Sequence, residues 1–342
     1  MTICKGNVLG TLFFLFASCF CISANIERDA TDMLEELIQS AEPHETVFLN
    51  PNEDHLVTRT IIINKPITLK GLRAHLPAGL GYTPILEVKA EGVILEQLHL
   101  RGNADSVDQD QRAPLIDVHG GNIRIENCVF ENSSKDGIQV NTRPGEKELV
   151  GVVIRDIVGR GVVRDVVSIG SDDRGGGKVR NVLIENIRGY DSRLRGVVEI
   201  SDGTENATVR TVYAERCVYA VDVQDHNHPN HVNRHVLIED VYAKDCKHAL
   251  RTANRPLGHT DLTIRNLTAE RCSQSLLVKN TERVLIENVR LLQPKTAERS
   301  IHIESCKDVI LRSFITDSSV KNEEELVFLK DCENVTADIK NP

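Results

Sequence analysis

Short runs of alternating apolar and polar residues fill most of this chain, and the runs come back at near-regular intervals. The phrase "NVLIENIRG" (Asn181 to Gly189) is one copy. Others are "VILEQLHL" from Val93, "NIRIENCVF" from Asn122, "VVIRDIVG" from Val152, "ATVRTVYA" from Ala207, "HVLIEDVYA" from His235, "DLTIRNLTA" from Asp261, "RVLIENVRL" from Arg283 and "DVILRSFIT" from Asp308. Taking the third residue of each apolar trio as an anchor gives Leu95, Ile125, Ile154, Ile184, Val209, Ile238, Ile264, Ile286 and Leu311. Subtracting successive positions gives spacings of 30, 29, 30, 25, 29, 26, 22 and 25 residues. Alternation in β-branched residues predicts strands. A repeat of this length predicts a solenoid, in which each unit buries its apolar face by stacking on its neighbours.

Each unit holds a second alternating run: "LIDV" from Leu115, "GIQV" from Gly137, "VVSI" from Val166, "VVEI" from Val197 and "AVDV" from Ala220. It continues as "ALRT" from Ala249, "SLLV" from Ser275, "SIHI" from Ser300 and "LVFL" from Leu326. Two or more short strands per repeat, with Gly/Asn/Asp turns and no helical period between, fit an all-β parallel β-helix. A leucine-rich repeat would need dominant leucines and a helical return segment, and has neither here. Two residues after each anchor stand Gln97, Asn127, Asp156, Asn186, Thr211, Asp240, Asn266, Asn288 and Ser313, a column of mostly small polar residues expected at a bend. Cys217, Cys246 and Cys272 fall eight after their anchors, and Cys306 and Cys332 five before theirs. Stacked about 4.8 Å apart, they are expected as buried thiols, with a disulfide as the alternative. Upstream, "DATDMLEELIQSA" (residues 29–41) reads as an amphipathic helix with Thr31 or Asp32 as cap. It would cover the open end of the first coil. The expectation is one domain over 25–342, with about ten coils from 46 to 338.

Residues 1–24 differ in kind. Lys5, the apolar "VLGTLFFLFAS" and "ISA" before Asn25 read as a secretory signal, too short for a spanning helix. The expectation is a secreted or periplasmic protein; "FASC" ending at Cys19 is the lipoprotein-anchor alternative. Three of the nine cysteines lie in that segment, and the other six show no C-x-x-C spacing for structural zinc. The net charge of −9 argues against nucleic-acid binding, which wants a basic footprint. The sequence leaves the oligomeric state open.

The opening helix, "INKPITLKG" and the recurring V-x-I-x-N phrase resemble the right-handed parallel β-helix superfamily of pectate lyases and polygalacturonases, over roughly residues 29–338. The resemblance implies a right-handed solenoid with a short N-terminal capping helix. It leaves activity open, because that superfamily spans hydrolases, lyases, epimerases and non-enzymatic surface proteins. "VVSIGSDDRGGGKVRNVLIEN" (Val166 to Asn186) is similar to the polygalacturonase segment G-H-G-x-S-I-G-S, with Ser168, Ile169, Gly170 and Ser171 matching. Asp165 stands where that pattern has histidine, "GVVEIS" carries Glu199 and Ser201 in place of R-x-K, and Asp136 alone stands for the aspartate pair. The polygalacturonase catalytic set is therefore not carried over.

Within the second strand set the outward column reads Asp117, Gln139, Ser168, Glu199, Asp222, Arg251, Leu277, His302 and Phe328. Acidic and amide groups gather on its middle coils, joined by Asp172, Asp173, Asp202, Asp225 and His226 from adjoining turns. Glycoside hydrolysis needs two carboxyl groups, and two close like charges drive one pKa upward, as a general acid requires. Glu199 and Asp222, on adjacent coils, are the expected pair. Asp172, Asp173 and Asp225 are substitutes. Asp117, Gln139, Tyr190, His226 and Arg251 are expected to bind substrate, a carbohydrate polymer or oligosaccharide. No cofactor is required on this reading. The same carboxylates admit Ca²⁺ at Asp172, Asp173, Glu199 and Asp222, as a polysaccharide lyase would use. A non-enzymatic glycan- or partner-binding protein is the third reading, favoured by the absence of Trp and an aromatic content of 4%.

Overall fold

The computed structural model describes residues 28–142, 145–146, 148–171, 177–226, 231–253, 258–295, 300–317 and 326–338. The residues proposed as signal peptide, Cys19 included, lie outside them, as do Asp172 and Asp173. The chain winds as a right-handed parallel solenoid. One sheet holds 11 short strands and the other holds 15, many of them longer, and every pairing between coils is parallel.

The anchors form one unbroken column. Leu69 pairs with Leu95, and the register then runs through Ile125, Ile154, Ile184, Val209, Ile238, Ile264, Ile286 and Leu311 to Ala337. From Leu69 to Leu311 every member is fully buried. Each coil lies about 4.8 Å from the next, so the core is a pile of aliphatic rungs, each covered by its neighbours.

A second column folds each long strand into two arms. Gln97, Asn127, Asp156, Asn186, Thr211, Asp240, Asn266, Asn288 and Ser313 all have φ between 52° and 58°. A left-handed residue turns the chain sharply without ending the pairing on either side, and Asn and Asp tolerate that conformation best among side-chain-bearing residues. The amides also bond along the column: Asn186 donates to Asp156 at 2.6 Å, Asn266 to Asp240 at 2.9 Å and Asn288 to Asn266 at 3.0 Å. In the earlier coil the position belongs to Gly71 (φ 81°), where a Cβ would stand 2.3 Å from the Leu49 carbonyl oxygen.

Helix α1 (Thr31–Ser40) seals the N-terminal end through Leu34 and Ile38. Its cap is not the expected one. Neither Thr31 nor Asp32 caps it; the Asp29 carboxylate accepts the Thr31 amide at 3.0 Å and its hydroxyl at 2.6 Å. The Thr31 oxygen instead accepts the Thr58 amide at 2.9 Å, tying the helix to the first coil. Cys128, Cys217, Cys246, Cys272 and Cys306 are buried free thiols and Cys332 is a partly exposed one, so the disulfide alternative is not realised. No helix among the described residues is long and apolar enough to cross a membrane.

Candidate functional site

The short-strand sheet carries the outward column in the expected register. Asp117 pairs with Gln139, then Ser168, Glu199, Asp222, Arg251, Leu277, His302 and Phe328 follow in order. Its middle does not lie open to solvent as the alternation implies. Glu199 is 2% exposed and Asp222 0%. Cationic side chains rise over the column from the preceding turns: Lys135, Arg164 and Arg195 each stand four residues before Gln139, Ser168 and Glu199. Lys135 donates to Gln139 at 2.6 Å.

Glu199 is held on both oxygens. One accepts the Ser168 hydroxyl at 2.7 Å, and the other accepts Arg195 and the Gln224 amide. Asp222 accepts Arg251 at 2.7 Å on Oδ2, while its buried Oδ1 has no hydrogen-bond partner among the described residues. Burial pushes the Asp222 carboxyl up to about 6, the nearby Arg251 opposing the shift. The two carboxylates are direct register partners, so their backbones lie about 4.8 Å apart.

Beside this column runs an inner one that the outward-facing pattern misses. Asp136 and Asp165 occupy equivalent positions in successive coils and are fully buried. The Asp165 amide donates to Asp136 at 3.1 Å, and Asp165 in turn accepts the Gly196 amide at 3.2 Å and the Tyr219 hydroxyl at 2.8 Å. The Tyr219 ring reaches Asp165 by lying across Gly196, where a Cβ would come within 2.2 Å of it. Burial raises both aspartates, Asp165 well above the usual range, with Glu199 and Asp136 adding repulsion there. The signal was present in "KDG" and "RDV", a base followed by an acid before each strand, but nothing in the period says such a pair turns inward.

At the far end of the strands His226 is 44% exposed on its side chain, with Nδ1 2.5 Å from the buried Asp202 carboxylate. Asp202 also accepts the His226 amide at 2.8 Å, and it holds the imidazole pKa above its ordinary value. Asp225 is buried next to this pair. Arg251 meets solvent above Asp222 with 24% of its side chain. Tyr190 is not brought to the cluster. It belongs to the other sheet, in a ladder with Tyr213 and Tyr242.

Of the residues expected to take Ca²⁺, Asp172 and Asp173 lie outside the described residues. The oxygens of Glu199 and Asp222 face guanidinium, amide and hydroxyl donors, which is a poor cradle for a cation. Among the described residues no three His, Cys, Asp or Glu side chains converge as a metal site.

No protein-family profile and no curated protein sequence matches this chain. Solved structures do. The catalytic domain of a GH87 alpha-1,3-glucanase in complex with nigerose aligns with a TM-score of 0.54 at 13% identity, over 93% of this chain and 65% of that one. The A-module of Azotobacter vinelandii mannuronan C-5 epimerase AlgE4 aligns at 0.52 and 14%, over 92% and 94%. The N-terminal fragment of bacteriophage Phi29 gene product 12 aligns at 0.52 and 12%, over 92% and 70%. At such identities the likeness establishes the architecture alone: the chain has a right-handed parallel β-helix fold.

Proposed function

We propose that the protein is an exported carbohydrate-active β-helix that hydrolyses glycosidic bonds at its middle coils. The observation that carries this reading is the pair Glu199 and Asp222. One carboxylate is pinned by three donors, and the other, one coil away, holds its proton to about pH 6. A carboxyl that keeps its proton into the mildly acidic range suits a general acid, and an oriented carboxylate suits a nucleophile or base. Adjacent-coil placement favours the retaining course. Asp222 gives its proton to the leaving glycosidic oxygen while Glu199 bonds the anomeric carbon. Water then displaces Glu199 and returns a proton to Asp222. Arg251 and Arg195, each about a quarter exposed, must swing aside or receive the sugar for it to reach the carboxyls. His226, braced by Asp202, is the open polar group at the rim. The glucanase and epimerase likenesses fit a carbohydrate substrate.

A second reading has its own observation. Glu199 and Asp222 are almost completely sealed and paired with arginines, as a fixed structural network would be, which favours a non-catalytic glycan-binding protein. Incubation with a panel of plant, algal and bacterial polysaccharides, with and without Ca²⁺, separates the readings. New reducing ends without ultraviolet absorbance from unsaturated ends support hydrolysis, and their loss in Glu199→Gln and Asp222→Asn supports the assigned pair. The unsaturated chromophore would mean β-elimination. Unchanged hydrolysis in the double variant removes the catalytic assignment, and binding without products supports the second reading.

A further inference from the structure

A groove of about 450 Å³ opens on the other sheet, across the strands Lys178–Tyr190, Thr204–Glu215 and Arg234–Lys244. That volume falls within the roughly 300–1,000 Å³ of small-molecule sites. One wall is the tyrosine ladder. Tyr213 and Tyr242 stack with centroids 5.6 Å apart and planes 10° from parallel, while Tyr190 sits 5.7 Å from Tyr213, tilted by 46°. The other wall is the bend column, and here that column is interrupted. Asn186 bonds back to Asp156 and Asn266 bonds back to Asp240, but Thr211, which separates Asn186 from Asp240, makes no side-chain hydrogen bond among the described residues. The Thr211 side chain lines the groove at this break.

The groove also holds an unpaired charge. Most arginines here lie against carboxylates, yet Arg188 is exposed and has no ion pair or hydrogen bond among the described residues. Arg160 lies beside it with its guanidinium 4.6 Å over the Tyr190 ring. The Tyr213 and Tyr242 hydroxyls already donate to Glu215 and Glu270, so the rings offer their faces and edges; with an amide, a carboxylate and a free guanidinium around a shallow cleft, they suit a hydroxyl-rich ring bearing a negative group. The tyrosines are already stacked, so little side-chain freedom is lost when they are covered.

We propose that this groove binds an oligosaccharide carrying an anionic substituent, its hydroxyls against Tyr213, Tyr242, Asn186 and Asp240 and its anion on Arg188. The site is separate from the carboxylate cluster and stands whether or not that cluster is catalytic. Carboxylated and sulfated sugars share the required chemistry.

Trp is absent and three of the five tyrosines line the groove, so tyrosine emission reports its occupancy directly. The probes are galacturonate oligomers, chondroitin sulfate oligosaccharides and neutral cello-oligosaccharides, titrated into the full chain. Saturable binding of one or both anionic series is expected, weakened by salt and by at least about tenfold in Arg188→Ala. The two anionic series tell carboxylate from sulfate. Thr211→Asn is the deciding variant. Asparagine suits the left-handed bend and would reconnect Asn186 to Asp240, so thermal stability should hold or rise while binding is lost. Binding unchanged in both variants, equal binding of the neutral series, or no binding of any series overturns the proposal. Hydrolysis is read by new reducing ends and the groove by tyrosine emission, so either proposal can fail without the other.

Discussion

Glu199 and Asp222 are partners across neighbouring coils, yet each answers to a different arginine. Arg195 reaches Glu199 from four residues upstream in the same coil, and Arg251 reaches Asp222 at 2.7 Å from the next coil. Glu199 keeps Ser168, Gln224 and Arg164 if Arg195 is removed, whereas removing the Arg251 guanidinium strands Asp222. Arg251→Ala should cost about 3–5 kcal/mol, the usual penalty for breaking a buried pair from one side. Asp222→Asn in that background should restore part of the loss. Denaturant unfolding of the two variants checks this; equal stability of Arg251→Ala and the parent chain would refute the pairing.

The cluster also sets a pH dependence. Asp222 titrates near 6 in the fold against 3.8 for the free side chain, and burial raises Asp136 and Asp165 in the same direction. A raised carboxyl binds its proton more tightly when folded, so its stabilising contribution is complete below about pH 4 and lost as pH climbs through 6. Melting temperature should fall between about pH 4 and 6 on account of Asp222, and Asp222→Asn should flatten that slope. On the acid side the surface acids act oppositely. Asp261 is held down to about 2 by Arg283 and Glu304 to about 2 by Lys279 and Lys330, so their support fades toward pH 2. Both lie at the surface with 26% and 18% of their side chains exposed, so solvent and salt reduce their weight.

The bend column predicts an unusual ranking at Asn186. Alanine must adopt the left-handed conformation at a cost of about 1–2 kcal/mol, and it also loses the bond to Asp156. Glycine loses the same bond but adopts the conformation freely. Chemical denaturation should therefore rank Asn186→Gly above Asn186→Ala, the reverse of the order in ordinary strands.

Gly196→Ala tests the crossing of Tyr219. The added methyl would meet the Tyr219 carbonyl oxygen at 2.1 Å and its ring at 2.2 Å. It should destabilise by about 1–3 kcal/mol or more and release the Tyr219 hydroxyl from Asp165. Ultraviolet difference spectroscopy of the tyrosines follows the second effect, and an unchanged spectrum would argue against the crossing.

Thiol labelling tests the cysteine columns. Burial pushes Cys128, Cys272 and Cys306 up to about 12, so they are poor nucleophiles. Cys217 and Cys246, buried in the same stack, donate to the Glu215 and Lys244 carbonyl oxygens, each at 3.4 Å. Peptide mapping after brief alkylation should find Cys332 modified in the native chain and the other five only after unfolding.

The winding could be read from the residues because two local rules point the same way. Alternation sets which side chains enter the core, and a small polar residue two places after each anchor sets where the chain bends. Both are short-range, and from Leu95 to Leu311 the register obeys them at every coil. The state of the candidate site was not legible. Outward alternation says that Glu199 and Asp222 leave the core, but not that Arg164, Arg195 and Arg251 then cover them. Long side chains choose their paths by charge, which no period records. Tyr219 crosses Gly196 to a residue 54 positions earlier. Tyr190 is near the acidic turns in sequence, yet its strand carries it to the other sheet.

The anchors recur after as few as 22 and as many as 30 residues, yet their register never slips. The excess length lies in the connections between strands, the longer ones including 102–115, 171–177, 225–233 and 293–300, of which 171–177 and 225–233 lie next to the carboxylate column. Pitch and recognition are thereby under separate control. Segments can be lengthened, shortened or exchanged at those junctions without disturbing the winding, so the molecule is a frame on which specificity can be rewritten one connection at a time.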